Sequence, residues 1–291
     1  MTTKLLLSFM ALGFIFSCKN KEEASPVVEA PVEPYKMTKI WESDTLFTTV
    51  ESVIYDPVTG IIYASNIDGQ PWEADGKGSI GKLNADGTTI DAKWVTGLNA
   101  PKGLGIVNGK LYVADITELL EIDLADGKIL NKYAVEGAVG LNDVTTSPDG
   151  VVYFTDSQKG SIHMLKENTV STLLDSLKGS NGILYEPERL LVATWSNESL
   201  NEFKMSDGSF TAIADSLPQP DGIEAVGDGG YLVSAWKGMI HYLHPDGTTE
   251  LILDTTSDTI SAADIDYVPE KKLVLIPTFF RNTVAAYELS K

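Results

Sequence analysis

Six residues recur at nearly regular intervals, each at the start of a short apolar stretch. They are Glu51, Lys102, Asn142, Asn181, Asp221 and Ala263, separated by 51, 40, 39, 40 and 42 residues. Four of the six carry a carboxylate or amide oxygen, and none is His or Cys. Such oxygen donors suit Ca²⁺, and also Mg²⁺ or Mn²⁺, whereas zinc sites usually include nitrogen or sulfur ligands. If these side chains meet, we expect Glu51, Asn142, Asn181 and Asp221 to bind a divalent cation, with Ca²⁺ the best match.

The stretches that these residues open all have the pattern of a short β-strand. The first reads ESVIYD, and a turn and a second strand, GIIYASN, follow it. The same pair of strands returns five times, for example as NDVTTS before GVVYFTDS. Repetition of a unit of four short strands about every 40 residues is typical of a β-propeller. The sequence therefore predicts an all-β fold with six blades.

Two irregularities of the repeat support this prediction. The first unit is longer than the others because residues 66–78 are inserted between its second and third strands. The last unit has only three strands, and residues 38–44 can supply the fourth, which closes the ring without an exposed edge. Two packed sandwiches or an irregular solenoid would not explain a lone first strand and an incomplete last unit. We expect one propeller over residues 38–291.

In a propeller, the first strand of each blade lines the central channel, and its first residue lies near one mouth. This arrangement explains why Asn142 opens a strand, although Asn disfavours strands. Asp143 follows it and is expected to orient the Asn142 amide. The alternative is that these Asn and Asp residues only form turns, which often precede strands. Their common register in the repeat favours a shared site.

The chain resembles the gluconolactonase/regucalcin-like (senescence marker protein) family over residues 38–291, and more distantly the serum paraoxonases. The resemblance rests on four motifs: Glu51 in ESVIYD, Asn142 in LNDVTTSPDG, Asn181 in SNGILY and Asp221 in QPDGIEA. It implies a six-bladed propeller that holds a divalent cation in its channel and hydrolyses lactones or related esters. It also implies that Glu51, Asn181 and Asp221 are metal ligands, and that Asn142 contacts substrate or metal.

The sequence departs from this family at one substrate-binding position. Some members have an Arg two residues before the Asn of the Asn-Asp pair, where it holds a sugar lactone, and here that residue is Gly140. Lys102 instead places a cation near the expected metal, where it can bind a substrate carboxylate or point away. The loops at the same mouth carry Trp195, Trp236, Phe279 and Arg281, which we expect to bind the substrate. The competing interpretation is that the aromatic residues pack between blades.

These residues suggest hydrolysis of a small-molecule lactone or ester. Water attacks the carbonyl carbon, and Asp221 is the expected general base, with Asp143 as the alternative. The sequence contains no Gly-x-Ser-x-Gly elbow and no His-Glu-x-x-His motif. The alternative is a non-catalytic propeller that calcium stabilises and that binds a partner at a surface, because a fold does not determine a function.

The N-terminus and the charge indicate where the protein works. Residues 1–17 read as a signal peptide ending at Cys18, the only cysteine, in a sequence that resembles a bacterial lipobox. An ordinary signal peptide with an incidental cysteine is the alternative. Residues 18–37 are rich in Pro and Glu and predict a flexible tether. We expect an extracytoplasmic monomer, lipidated at Cys18 and anchored to a bacterial membrane, with the outer membrane or cell surface preferred. The net charge of −19 argues against nucleic acid as a partner.

Overall fold

The structure, a computed structural model, describes residues 33–291 and confirms a six-bladed β-propeller. Six four-stranded antiparallel sheets contain 24 strands, with two short 3₁₀ turns at Thr256–Asp258 and Pro269–Lys271. The predicted signal peptide, Cys18 and most of the predicted tether lie outside the described residues. None of the described residues forms a helix with the length and hydropathy that a membrane span requires.

The first three blades follow one another directly along the chain. Blade 1 contains β2 (Val50–Asp56), β3 (Ile61–Asn66), β4 (Gly78–Asn84) and β5 (Thr89–Leu98). Blade 2 contains β6 (Pro101–Val107), β7 (Lys110–Asp115), β8 (Glu118–Asp123) and β9 (Ile129–Ala134). Blade 3 contains β10 (Leu141–Thr146), β11 (Val152–Asp156), β12 (Ser161–Lys166) and β13 (Thr169–Leu174). The insertion predicted in the first unit lies between β3 and β4.

The remaining blades complete the ring. Blade 4 contains β14 (Ser180–Glu186), β15 (Arg189–Thr194), β16 (Ser199–Lys204) and β17 (Phe210–Ala214). Blade 5 contains β18 (Pro220–Ala225), β19 (Tyr231–Ala235), β20 (Met239–Leu243) and β21 (Thr249–Asp254). Blade 6 contains β22 (Asp266–Val268), β23 (Leu273–Pro277) and β24 (Val284–Ser290), and β1 (Lys36–Glu42) is its outermost strand.

The first strand closes the ring as predicted, but it begins two residues earlier than the sequence suggested. Strand β1 pairs antiparallel with β24, from Lys36 opposite Ser290 to Glu42 opposite Ala285. Tyr35 precedes the strand and donates its hydroxyl proton to Asp228 of blade 5 at 2.6 Å, while its ring packs against Tyr242. These contacts tie the start of the propeller to blade 5, so residues 35–37 belong to the fold rather than to a tether.

The inner strand of each of the first five blades has an irregular register at the same place. In blade 1, Val50 pairs with Asn66 and the next pair is Val53 with Ala64, so Glu51 and Ser52 have no partner in the ladder. Blades 2 to 5 skip the corresponding two residues. A β-bulge of this kind bends a strand and redirects side chains. It turns the second residue of each of these five strands toward the channel.

Glycines allow the inner strands of neighbouring blades to approach closely at these bulges. A Cβ atom at Gly182 would lie 1.8 Å from the backbone oxygen of Asp221, and one at Gly222 would lie 2.5 Å from the backbone nitrogen of Ile265. A Cβ at Gly103 would lie 2.5 Å from the Cα atom of Asp143. Only glycine allows this spacing, because the contacts are with backbone atoms that cannot move aside.

Removal of β1 provides a test of ring closure. We expect a chain that begins at residue 44 to unfold at a temperature at least about 10 °C below a chain that begins at residue 33, since losing several kcal/mol shifts a domain of this size by about 2–4 °C per kcal/mol. The loss exposes the edge of β24 and removes Trp41, which packs against a buried cluster that contains Phe47 and Leu275. Calorimetry of the two chains checks this, and equal unfolding temperatures would show that β1 does not stabilise the ring.

Candidate functional site

Of the six residues that recur about every 40 positions in the sequence, five line a single cavity at one mouth of the channel. Its volume is about 730 Å³. These residues are Glu51, Lys102, Asn142, Asn181 and Asp221, and all are buried. The sixth, Ala263, is buried in an apolar cluster with Phe279 and does not line the cavity. Residues that are about 40 positions apart in the chain therefore form one polar floor.

Hydrogen bonds connect three of these side chains in blade order. The amide nitrogen of Asn142 donates to the side-chain oxygen of Asn181 and, at 2.7 Å, to the hydroxyl of Ser157. The amide nitrogen of Asn181 donates to Oδ1 of Asp221 at 2.9 Å and to the backbone oxygen of Pro220 at 3.3 Å. The chain of bonds orients each amide and leaves the second carboxylate oxygen of Asp221 without a bond to Asn181.

Glu51 and Lys102 form a buried ion pair on the other side of the floor. Lys102 Nζ lies 3.8 Å from Oε1 of Glu51 and 4.3 Å from the centre of the Trp72 ring. The second oxygen of Glu51, Oε2, is buried and has no hydrogen-bond partner among the described residues. A buried carboxylate oxygen without a partner carries a large desolvation cost, so it marks a place where a ligand would be stabilised.

Burial shifts the pKa values of all three charged groups on the floor. It lowers the pKa of Lys102, although the charges of Glu51 and Asp221 oppose that effect. It raises the pKa of Glu51 despite the nearby ammonium. The pKa of Asp221 is raised well above its usual value, first by burial and then by repulsion from Glu51 and Asp264. Carboxyl groups with raised pKa values in a cavity are typical of groups that exchange protons with a ligand.

Asp143 does not line this cavity, and its carboxylate has no hydrogen bond to either amide side chain on the floor. Its Oδ1 accepts a hydrogen bond from the backbone nitrogen of Val144, and its Oδ2 accepts one from Ile183 in blade 4, both at 2.7 Å. Ser157 and Asn181, rather than Asp143, orient the Asn142 amide. Asp143 thus links the inner strands of blades 3 and 4, and only Asp221 of the two expected bases is placed at the cavity.

Asp143 belongs to a second group of carboxylates, deeper in the channel. With Glu224, Asp264 and Asp266 it lines a separate cavity of about 120 Å³. Burial raises the pKa of Asp143 to about 8 and that of Asp266 to about 6, and it raises those of Glu224 and Asp264 well above the usual range. Repulsion from neighbouring carboxylates adds to the shifts of Glu224 and Asp264.

Aromatic side chains form one wall of the main cavity, and they come from blades 4, 5 and 6. The ring centres of Trp195 and Trp236 are 6.3 Å apart, and those of Trp236 and Phe279 are 5.4 Å apart. Phe280 packs edge-on against Phe279 and is exposed at the mouth. Phe279 is itself buried against Ala100 and Ala263. The sequence left two roles open for these aromatic residues, substrate binding and packing between blades. The structure shows that they both line the cavity and pack between blades.

Arg281 is the one expected substrate-binding residue that the structure does not place at the cavity. Its Nε atom donates to Oε1 of Glu42 at 2.8 Å, and the side chain is about half exposed. This ion pair joins the loop after β23 to strand β1. Arg281 thus supports the closure of the ring rather than the floor of the site.

Sequence reasoning did not single out several residues that line the cavity. They are Ser157, Gln158, Lys159, Lys178, Gly179 and Ser196. Ser157 to Lys159 follow β11, in the same kind of loop that carries Trp195 and Trp236, so the rule that found the tryptophans also applies to them. Lys178 lies in the connection from β13 to β14, and no sequence signal distinguishes it from other surface lysines.

The inserted loop brings Trp72 over the cavity and against Gly140. A Cβ atom at Gly140 would lie 2.8 Å from the Trp72 ring and 2.3 Å from Cγ of Gln158. No larger side chain fits at position 140 unless both neighbours move. The place where the resembling family holds a sugar lactone with Arg is thus occupied by an indole from blade 1.

Comparison with known proteins establishes the fold. No protein-family profile matches this sequence, and a search of curated proteins gave no match. Among solved structures, a gluconolactonase from Xanthomonas campestris is 18% identical with a TM-score of 0.67, covering 89% of this chain and 95% of its own. A catalytically inactive histidine-to-alanine form of virginiamycin B lyase from Staphylococcus aureus, with quinupristin, is 16% identical with a TM-score of 0.63. It covers 88% of this chain and 99% of its own.

A third similar structure comes from a complex between two proteins. A chain of a nidogen–laminin complex is 16% identical with a TM-score of 0.59, covering 70% of this chain and 80% of its own. The structural neighbours thus include gluconolactonases, as the resemblance implied, together with a lyase and a chain of this complex. At these identities the likeness concerns the fold, and the chemistry has to be argued from the cavity.

The deeper carboxylates predict a stability that decreases as pH rises. The folded-state pKa of Asp266, about 6, is above its usual value of 3.8, so the folded protein binds this proton more tightly than the unfolded chain does. Its stabilising effect is complete below about pH 4 and is lost as pH rises through about 6, because each pH unit between the two pKa values removes roughly 1.4 kcal/mol. We expect Asp266→Asn to remove this loss, so that the variant gains stability relative to wild type between about pH 4 and about pH 8.

Denaturant unfolding of wild type and Asp266→Asn, at about pH 4 and at about pH 8, should show a relative gain in the free energy of unfolding of roughly 1–3 kcal/mol for the variant. The Asn oxygen can still accept the hydrogen bond that Oδ2 of Asp266 receives from the backbone nitrogen of Tyr55 at 2.6 Å. Glu136→Gln, at an exposed carboxylate, is the matched control and should follow wild type at both pH values. An Asp266→Asn profile parallel to that of wild type would contradict the prediction.

Proposed function

We propose that this protein is a divalent-cation-dependent hydrolase that acts on a lactone or related ester in the cavity at the mouth of the channel. The observation that carries the proposal is the buried, unpartnered Oε2 of Glu51, which lies on the same floor as Asn181 and Asp221. A hard cation is the ligand that satisfies such an oxygen best, since both neighbouring groups can also offer oxygen.

The residues present fit a cation that prefers oxygen. The described residues contain no group of three or more His, Cys, Asp and Glu side chains arranged to hold a metal. Ligation at this floor therefore depends on amide oxygens as well as the two carboxylates, which favours Ca²⁺ over zinc. Asn181 turns its amide nitrogen toward Asp221, so it would have to rotate its amide to offer oxygen. Asn142 would then lose its acceptor on Asn181 and become free to contact a ligand.

The chain supplies the remaining parts of a hydrolytic site. When bound, the cation would stabilise the negative charge that develops on the carbonyl oxygen of an ester. Asp221, whose pKa is raised, would accept a proton from the attacking water and return it to the leaving oxygen. Lys102 would hold an anionic group of the substrate, and the wall of Trp195, Trp236 and Phe279 would bind the apolar part and exclude water.

The absence of histidine from the cavity limits the chemistry. The chain contains three His residues. None of the residues that line the cavity in the described part of the chain is a histidine. His163 is buried in blade 3, where its Nδ1 contacts the hydroxyl of Thr172 at 3.1 Å. A carboxylate is consequently the base that the cavity offers for water attack.

Calcium should stabilise the fold through Glu51. A ligand that binds only the folded state at a hundred times its dissociation constant adds about 2.7 kcal/mol. We expect Ca²⁺ to raise the unfolding temperature of wild type and of the control Glu136→Gln. Glu51→Gln removes one of the two carboxylates, so calcium should no longer stabilise that variant. A calcium response in Glu51→Gln equal to that of wild type would mean that the cation binds elsewhere.

Activity is tested with a panel of lactones and aryl esters, with and without a chelator. We expect turnover that the chelator abolishes, and that Asp221→Asn reduces at least about 100-fold because the base is lost. Asn181→Ala should reduce it as well, because it breaks the bonds to Asn142 and Asp221. Asn84→Ala, at an exposed amide in blade 1, is the matched control. Stabilisation by calcium without turnover on any substrate would overturn the hydrolase and favour a non-catalytic binding propeller.

A further inference from the structure

We propose that the ligand of this cavity is an amphiphilic anion, with a negatively charged group next to a flat apolar body. This proposal rests on the proposed function, which supplies the reaction, hydrolysis of a lactone or ester. It adds the class of substrate, an aromatic or apolar ester that carries a carboxylate rather than a neutral polyhydroxy lactone. It follows from how the cavity distributes aromatic and charged side chains around its mouth.

Four aromatic residues form a continuous wall at the mouth. Trp195, Trp236, Phe279 and Phe280 come from three consecutive blades, 4 to 6, and each contacts another in an unbroken sequence of ring-to-ring contacts. Such an aromatic wall offers a broad apolar face that suits a planar or hydrophobic group. Phe280 is 67% exposed at the mouth, where its ring packs edge-on against Trp236 and Phe279.

Lysines of blades 2 and 3 also line the cavity. Lys159 and Lys178 lie on the connections that flank β12 and β13 of blade 3, and Lys102 is on the floor. Lys178 forms no ion pair within 4 Å in the described part of the chain, and Lys159 is 3.9 Å from Asp175. The ring of Trp72 lies against the Lys102 ammonium.

The balance of charge in the cavity is the reverse of that in the chain. The protein has 22 Lys and Arg residues against 41 Asp and Glu residues. The cavity is lined by three lysines, Lys102, Lys159 and Lys178, and by only two carboxylates, Glu51 and Asp221. A bound divalent cation would neutralise both carboxylates and leave the lysines in excess. In so acidic a protein, the cavity would then be a local positive region that attracts anions.

The part of the cavity around Gly140 is poorly suited to a neutral sugar. Polyhydroxy ligands need several convergent hydrogen-bonding side chains. Position 140 has no room for one, because Trp72 and Gln158 fill the space that a side chain would need. A carboxylate that faces lysines, with its apolar body against the aromatic wall, uses the groups that remain.

A pair of ligands that differ only in charge tests the proposal without turnover. The probes are 2-naphthoate and 2-naphthamide, with their dissociation constants measured by calorimetry in the presence of Ca²⁺. We expect wild type to bind naphthoate more tightly than naphthamide. The preference should shrink when NaCl is raised from about 0.05 M to about 0.5 M, because salt screens exposed charges.

Variants of exposed residues then assign the two halves of the ligand. The double variant Lys159→Gln/Lys178→Gln should lower the preference for naphthoate over naphthamide about fivefold, because two exposed charges that attract the carboxylate are lost. Lys128→Gln, an exposed lysine of blade 2 with the same change of charge, is the matched control and should keep the wild-type preference. Phe280→Ala should weaken both probes to a similar extent.

Several results would overturn the proposal. They are failure of naphthoate to bind, equal binding of the two probes, or loss of preference in Lys128→Gln as large as in the double variant. None of them bears on chelator-sensitive hydrolysis, which is measured with neutral esters as well. The substrate class and the hydrolase can therefore fail independently.

Discussion

The site depends on one backbone feature, the bulge at the start of the inner strand in each of blades 1 to 5. At this point two residues leave the hydrogen-bonded ladder, and the first turns its side chain into the channel. The second is held against the next blade, so it is glycine at positions 103, 182 and 222, where a Cβ atom would collide with backbone. In blade 3 this position is Asp143, whose carboxylate bonds to the backbone of blade 4. The bulge thus provides both the ligand-facing side chain and the close contact between blades.

The floor of the cavity has a cost in stability that points to its role. Glu51, Lys102 and Asp221 are buried, and all three pKa values move toward the neutral form. The pair of Glu51 and Lys102 is 3.8 Å apart and leaves Oε2 of Glu51 unsatisfied. Replacing a buried ion pair by well-packed apolar residues often leaves a protein equally stable or more stable. Buried polar groups that lower the stability of the fold, at the bottom of a large cavity, are best explained by a ligand that they bind.

Much of this arrangement can be predicted from the sequence, because the spacing of the repeat shows which residues occupy equivalent positions in successive blades. The spacing of Glu51, Asn142, Asn181 and Asp221 identifies one register in successive blades, and the register specifies which side chains face the axis. The roles of Asp143 and Arg281 could not be derived in this way. Adjacent residues at a bulge point to different cavities, and a side chain in a loop chooses its partner by tertiary contacts, as Arg281 does with Glu42. Lys178 likewise enters the cavity because of how its loop folds, which no periodicity encodes.

Every ligand-facing group on the floor is contributed by a different blade. A fragment that lacks any one of the first five blades therefore lacks one corner of the site, and a ring left open at β1 would let the corners drift apart. Assembly of all five corners therefore requires a chain that contains blades 1 to 5 and a ring that is closed.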